Sequence, residues 1–208
     1  MVFAGLDKEI EQARADYLKL RGYLRDEAEL NALDGVYNAV KSPRRLLVER
    51  GFSLDQRCES LSDMIAGLHR VVDLLSTLRR QVQKRIAFNT ATVDLAIETL
   101  RRDTAFLYLN RFTNATKHTR YIKRGEKDGM LYIGEISYKD RDLLVHEDRR
   151  TSEDIIVYAQ KVICLTSEVM TSMSKAVASV EAFDSNFSQV CATPSPEPEV
   201  DLSDEDPH

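Results

Sequence analysis

The residues best suited to chemistry lie in the middle of the chain. Arg111 and Asn114 are three positions apart, and Asn114 and His118 are four apart. On a helix these spacings place all three residues on one face. A guanidinium, an amide and an imidazole on one face suit a phosphate group. They supply a fixed positive charge, a hydrogen-bonding group that orients the phosphate, and a group that exchanges a proton near neutral pH.

A second pair, Arg141 and His146, follows further along the chain. On a helix a spacing of five aligns two side chains poorly, and on an extended strand an odd spacing puts them on opposite faces. The apolar stretch Leu143-Leu144-Val145 between them favours a strand. This pair is therefore a weaker candidate site than the first.

Both pairs resemble the Arg-x(4–6)-His signature of HEPN domains. Arg141…His146 matches the commonest form of that signature, and Arg111…His118 has the longest permitted gap. The stretch from Asn114 to His118 is also similar to the Asn-x-x-Lys-His element of some divergent HEPN-like proteins. The resemblance covers roughly residues 55–185, and its specific part is a few residues.

HEPN domains are helical bundles that often act as ribonucleases in prokaryotic toxin–antitoxin and defence systems. The resemblance therefore implies RNA cleavage without a metal or other cofactor. His118 would move a proton and Arg111 would stabilise charge on the phosphorane. Asn114 would orient His118 or the phosphate, and Lys117 would attract the RNA backbone. Two such sites usually meet across a dimer, so the resemblance also implies a homodimer.

The same residues have a structural interpretation. A cation such as His118 is favoured at the C-terminus of a helix by the helix dipole, and Arg111 and Lys117 are then surface charges. Under this alternative the chain is a non-enzymatic adaptor or scaffold protein. It would bind partners through its helix faces and an acidic tail.

The elements that must position these residues are mainly helical. Only 8 Gly and 5 Pro in 208 residues favour long helices with few connections. We predict a mainly α fold, an antiparallel helical bundle with a small β-hairpin insertion and a disordered C-terminal tail. The predicted domain, residues 1–186, has helices at about 7–41, 55–87, 90–117 and 152–185 and the β insertion at about 119–146. A bend is expected near Asp34-Gly35, and Ser42-Pro43 should end the first helix.

Two of the predicted helices carry apolar seams. In 55–87 the steps of three and four form a heptad seam: Leu61, Met64, Leu68, Val71, Leu75, Leu78 and Val82. A similar pattern runs from Ile155 to Phe183. We predict that these two helices pack antiparallel within one chain, with a partner helix or self-association as the alternative.

Residues 187–208 are predicted to be a disordered acidic tail, because they are poor in apolar residues and hold most of the prolines. From Pro194 onward there are six acids and no Lys or Arg, and without these acids the chain's net charge of −5 becomes +1. The remainder is nearly neutral and is not a strongly basic nucleic-acid binder. The tail is expected either to aid solubility or to occupy a basic surface of a protein partner.

No apolar run approaches the roughly 20 residues that cross a bilayer, and the first residues lack a signal-peptide pattern. The three cysteines, Cys58, Cys164 and Cys191, are odd in number and lack metal-ligand spacing. We therefore expect a cytoplasmic protein without membrane association, disulfides or metal. Cys164 is expected to be a small buried apolar residue.

Overall fold

The fold is known from a computed structural model, which describes residues 2–44, 54–118, 122–127, 130–135, 137–139, 142–144 and 150–191. The helices are α1 (Val2–Arg21), α2 (Glu27–Lys41), α3 (Leu54–His69), α4 (Val71–Arg85), α5 (Ala91–Arg102), α6 (Thr104–His118) and α7 (Ser152–Cys191). The predicted mainly helical class is confirmed. No helix in these ranges is both long enough and apolar enough to cross a membrane.

The backbone between α6 and α7 contains short strands. β1 (Ile122–Lys127) pairs antiparallel with β2 (Met130–Glu135), which also pairs with β5 (Arg150–Thr151). β3 (Ser137–Lys139) pairs antiparallel with β4 (Asp142–Leu144). That these strands form one packed β insertion remains a prediction.

Three of the predicted helices are each divided in two. Residues 22–26 separate α1 from α2, Arg70 separates α3 from α4, and Asp103 separates α5 from α6. The first interruption thus lies well before Asp34-Gly35, where the bend was expected, and α2 runs through that position. The end of α2 at Lys41, with Ser42 as its C-cap, agrees with the stop predicted at Ser42-Pro43.

Aspartates cap the N-termini of α2 and α6, two helices that were not predicted as separate elements. The Asp26 carboxylate accepts a hydrogen bond from the backbone N–H of Ala28 at 2.7 Å, and the Glu29 carboxylate accepts one from the N–H of Asp26 at 3.4 Å. This reciprocal pair is a capping box. The Asp103 carboxylate accepts from the N–H of Ala105 at 2.9 Å and caps α6 in the same way.

The heptad seam lies entirely within the core of the chain. All seven of its residues are at most 1% exposed. The seam crosses the break at Arg70, whose N–H bonds to the carbonyl of Gly67 at 3.2 Å in a tightened turn. Because these side chains are already buried, they are not available to a partner helix.

The two seams do not pack chiefly on each other. α4 packs mainly on α2, while α7 packs mainly along α1 and α5. The close approach of α2 to α4 uses Gly35, where a Cβ atom would lie 3.1 Å from Leu74 Cδ2. The predicted direct pairing of 55–87 with 152–185 therefore differs from the observed packing.

α1 and α7 run in the same direction. Gly5 lies against Gln160, and eleven residues later the Asp16 carboxylate accepts a hydrogen bond from the Ser167 hydroxyl. The residue numbers at these contacts increase in the same direction along both helices. α1 and α7 are therefore parallel rather than antiparallel. α7 also continues to Cys191, past its predicted end near residue 185.

Candidate functional site

The end of α6 carries the predicted site. The helix is unbroken from Thr104 to His118, so Arg111, Asn114, Lys117 and His118 all occupy its last turns. At about 100° per residue, positions 111, 114 and 118 fall within an arc of about 60°, and position 117 lies outside it. The side chains of these four residues lie outside the described part of the chain. The second pair, Arg141 and His146, lies outside it altogether.

The remainder of α6 shows which face packs on the core. Ala105, Phe106, Leu109 and Thr113 are buried, and the Thr113 hydroxyl donates to the Leu109 carbonyl at 3.0 Å. By the same helical geometry, these four positions lie opposite the arc of 111, 114 and 118. Leu107, which is 49% exposed, falls within that arc. By helical geometry, the three predicted positions therefore share the face of α6 that carries the exposed Leu107.

A groove of about 930 Å³ lies between the α4–α5 connection and α7. Its apolar lining includes Ile86, Phe88, Ala176 and Val180, and its charged lining residues are Arg85 and Lys175. Sequence reasoning did not single out any of these six as a site residue. Ala176 and Val180 belong to the apolar pattern predicted from Ile155 to Phe183, and both are half-buried rather than buried. Incomplete burial at the end of the seam indicates an apolar surface that the described residues do not cover.

Arg85 is held in place by a buried carboxylate. Glu29 is fully buried, and its Oε1 accepts from Arg85 Nε at 2.8 Å. Its Oε2 accepts from the backbone N–H groups of Arg25 and Asp26, and Arg85 Nη2 donates to the Tyr23 carbonyl at 3.1 Å. Both carboxylate oxygens are therefore occupied by donors. This geometry suits a structural ion pair that joins α2 to α4 rather than a proton-transfer group.

A second cluster joins α1 to α2. The Tyr17 hydroxyl donates to Asp34 Oδ1 at 2.7 Å, and Arg21 Nη1 donates to both groups at 2.9 Å. The Tyr17 ring stacks on Tyr37 with centroids 4.4 Å apart. Burial of Tyr17 and its bond to Asp34 raise the pKa of its phenol. The phenol therefore stays protonated near neutral pH, and the hydrogen bonds of the cluster hold α1 against α2.

Cys164 is half-buried and free, rather than fully buried as expected. Burial raises the pKa of its thiol, and the nearby charges of Glu9 and Glu168 raise it further. Because the thiolate is the nucleophile, a raised pKa makes Cys164 a poor one. Within the described ranges no three or more His, Cys, Asp or Glu side chains are grouped so as to hold a metal ion.

No family model, curated protein or solved structure matches this chain. The resemblance to HEPN domains thus stays a prediction that rests on the residues from Arg111 to His118.

Proposed function

We propose that this chain is a HEPN-like helical protein that cleaves RNA without a metal ion at the C-terminal end of α6. The observation that supports the proposal is the unbroken course of α6 through His118. It allows Arg111, Asn114 and His118 to act from one face, away from the residues that anchor the helix in the core. A substrate as large as RNA requires such an accessible face.

The proposed reaction is a transesterification. His118 takes the proton of a ribose 2′-hydroxyl, whose oxygen attacks the adjacent phosphorus. Arg111 stabilises the charge that builds on the phosphorane oxygens, and Asn114 orients the imidazole or the phosphate. The bond from phosphorus to the 5′ oxygen breaks, and an imidazolium protonates that oxygen. The products are a 2′,3′-cyclic phosphate and a 5′-hydroxyl, while Lys117 attracts the RNA backbone from the flank of the helix.

Two structural features belong to the same proposal. We infer that β1 to β5 form one small insertion beside the site, because β1 begins directly after the end of α6. We also infer that the protein acts in the cytoplasm as a homodimer whose two sites meet. The exposed Leu107 on the proposed catalytic face supplies an apolar contact for such an interface.

The test uses purified full-length protein, labelled RNA and EDTA. We expect the wild type to produce cyclic phosphate ends and His118→Ala to lose about 10²- to 10⁴-fold in rate, the usual contribution of a general acid or base. The matched control is His146→Ala, which should cleave like the wild type. Equal cleavage by His118→Ala, or a folded wild type that never cleaves, would contradict the proposal. Loss of activity in His146→Ala alone would move the site to the second pair.

The adaptor alternative is favoured by a different observation. The seam of α3 and α4 does not favour this alternative, because its residues are buried in the chain's own core. The end of the α7 seam is only half-buried, and a role for the acidic tail stays a prediction. The groove between the α4–α5 connection and α7 remains as an open surface with both apolar and cationic lining. A folded protein without nuclease activity would leave this groove as the best-supported functional surface.

A further inference from the structure

We propose that the groove binds the acidic tail of the same chain, with residues 197–206 as the occupant. This proposal does not depend on RNA cleavage. It rests on the character of the groove, on the sequence pattern of the tail and on the length of chain between them.

The groove offers cations and apolar surface together. None of the residues that line it is acidic. Two donors of Arg85 are already used by Glu29 and by the Tyr23 carbonyl. Lys175 is exposed on α7, and no carboxylate within the described ranges forms an ion pair with it. Lys175 is thus the cation most available to an incoming acid.

The tail has the complementary pattern. Val200 and Leu202 alternate with Glu199, Asp201 and Ser203. In an extended segment alternate residues lie on opposite sides, so Val200 and Leu202 share one side, while the neighbouring acids Glu199 and Asp201 share the other. Such a segment can place its apolar side on the lining formed by Ile86, Phe88, Ala176 and Val180. Its acidic side then lies toward the rim, where Lys175 stands.

The chain is long enough for this return. Lys175 and Cys191 are sixteen residues apart on α7, a distance of about 24 Å along a helix. From Cys191 to Val200 there are nine residues, which span up to about 30 Å when extended. The tail can therefore run back beside α7 and reach the groove within one molecule.

The experiment is zero-length carbodiimide cross-linking of the full chain, followed by digestion and mass spectrometry. We expect Lys175 to be joined to a carboxyl between Glu197 and Asp206, in the monomer band of a denaturing gel. The variant Val200→Ser/Leu202→Ser keeps every carboxylate and should lower this yield about tenfold, because two apolar side chains no longer bury surface in the groove. The control Ser195→Ala/Ser203→Ala keeps the apolar pair and should link like the wild type.

Each other outcome would overturn the proposal. A Lys175 link found only in the dimer band would assign the groove to the tail of a second copy. An unchanged yield in Val200→Ser/Leu202→Ser would show a general charge attraction without docking in the groove. Absence of any link between Lys175 and the tail, with the protein folded by circular dichroism, would leave the groove for a different occupant.

Discussion

Two arginines on α4 bind carboxylates of different neighbouring helices. Arg85 binds Glu29 of α2, and Arg79, six residues earlier, binds Asp94 of α5. Both shortest N–O distances are 2.8 Å. The carboxylates differ in burial, since the side chain of Glu29 is 1% exposed and that of Asp94 is 46% exposed.

The difference teaches that distance alone does not set the energetic importance of an ion pair. Water solvates the Asp94 carboxylate whether or not Arg79 is present, so the pair contributes little. The Glu29 side chain is only 1% exposed, so the loss of Arg85 leaves a buried charge without its counter-ion. We therefore expect the Arg85–Glu29 pair to contribute much to the stability of the fold and the Arg79–Asp94 pair to contribute little.

The largest expected effect comes from breaking the buried pair. Removing one partner of a fully buried ion pair costs about 3–5 kcal/mol. Because the Arg85 side chain is 30% exposed, Arg85→Ala, which leaves the Glu29 charge in place, should lower the free energy of unfolding by up to that amount. Urea unfolding followed by circular dichroism measures it. Arg80→Ala is the matched control, because the hydrogen bonds of Arg80 go to Ser76 and Thr77 of its own helix and not to a buried carboxylate. Similar losses in the two variants would erase the contrast between the buried and the exposed pair.

The exposed pair should give a smaller effect. Asp94→Asn removes the charge that Arg79 binds while keeping a side chain of similar shape. We expect a loss of about 0.2–1 kcal/mol in the same urea assay, the range for solvent-exposed pairs. A loss equal to that of Arg85→Ala would mean that burial is not the deciding variable.

The pH dependence sharpens the same comparison. The hydrogen bond from Arg79 holds the pKa of Asp94 below its usual value of 3.8. The folded state therefore favours the carboxylate, and its contribution is present above pH 3.8 and lost as the pH falls through the lower folded value. The stability difference between wild type and Asp94→Asn, measured by thermal melts, should shrink as the pH falls below 3.8. A difference that grows on acidification would contradict this assignment.

The smallest effect on stability is expected for substitution of Asp34, because the side chains of Asp34 and its partner Arg21 are both exposed. Asp34→Asn should lower the pKa of Tyr17, because the bond to Asp34 is one of the causes that raise it. The raised pKa stabilises the fold below pH 10.0, and that stability is lost as the pH rises further. Phenolate absorbance, taken as the difference from Tyr17→Phe, measures the shift. An unchanged Tyr17 titration would show that burial alone sets this pKa.

The helical class and the core seam could be predicted because their signal is local. Steps of three and four predict one buried face of a helix, whichever element packs against it. All seven seam residues of α3 and α4 are buried. Because the pattern is local, it also gave no sign of the breaks between α3 and α4 and between α5 and α6. A break of one residue at Arg70 or Asp103 hardly disturbs the period, so the pattern continues through it.

Some of the missed boundaries do carry a sequence signal. Asp26 and Glu29 have the spacing of a capping box, which marks the start of α2. Arg70 makes no side-chain cap, so the sequence has no comparable mark at that break. The groove was unpredictable for a different reason. It joins residues 85–92 to residues 172–180, and only tertiary packing brings them together.

The parallel contact of α1 with α7 has a consequence for biosynthesis. The hydrogen bond between Asp16 and Ser167 joins residues 151 positions apart. At a synthesis rate of about 5–20 residues per second, α1 leaves the ribosome roughly 8–30 seconds before its main packing partner. During that interval Leu6, Ile10 and Leu20, all fully buried in the finished fold, lack the surface that covers them. The packing of α1 is therefore completed only after α7 has been synthesised.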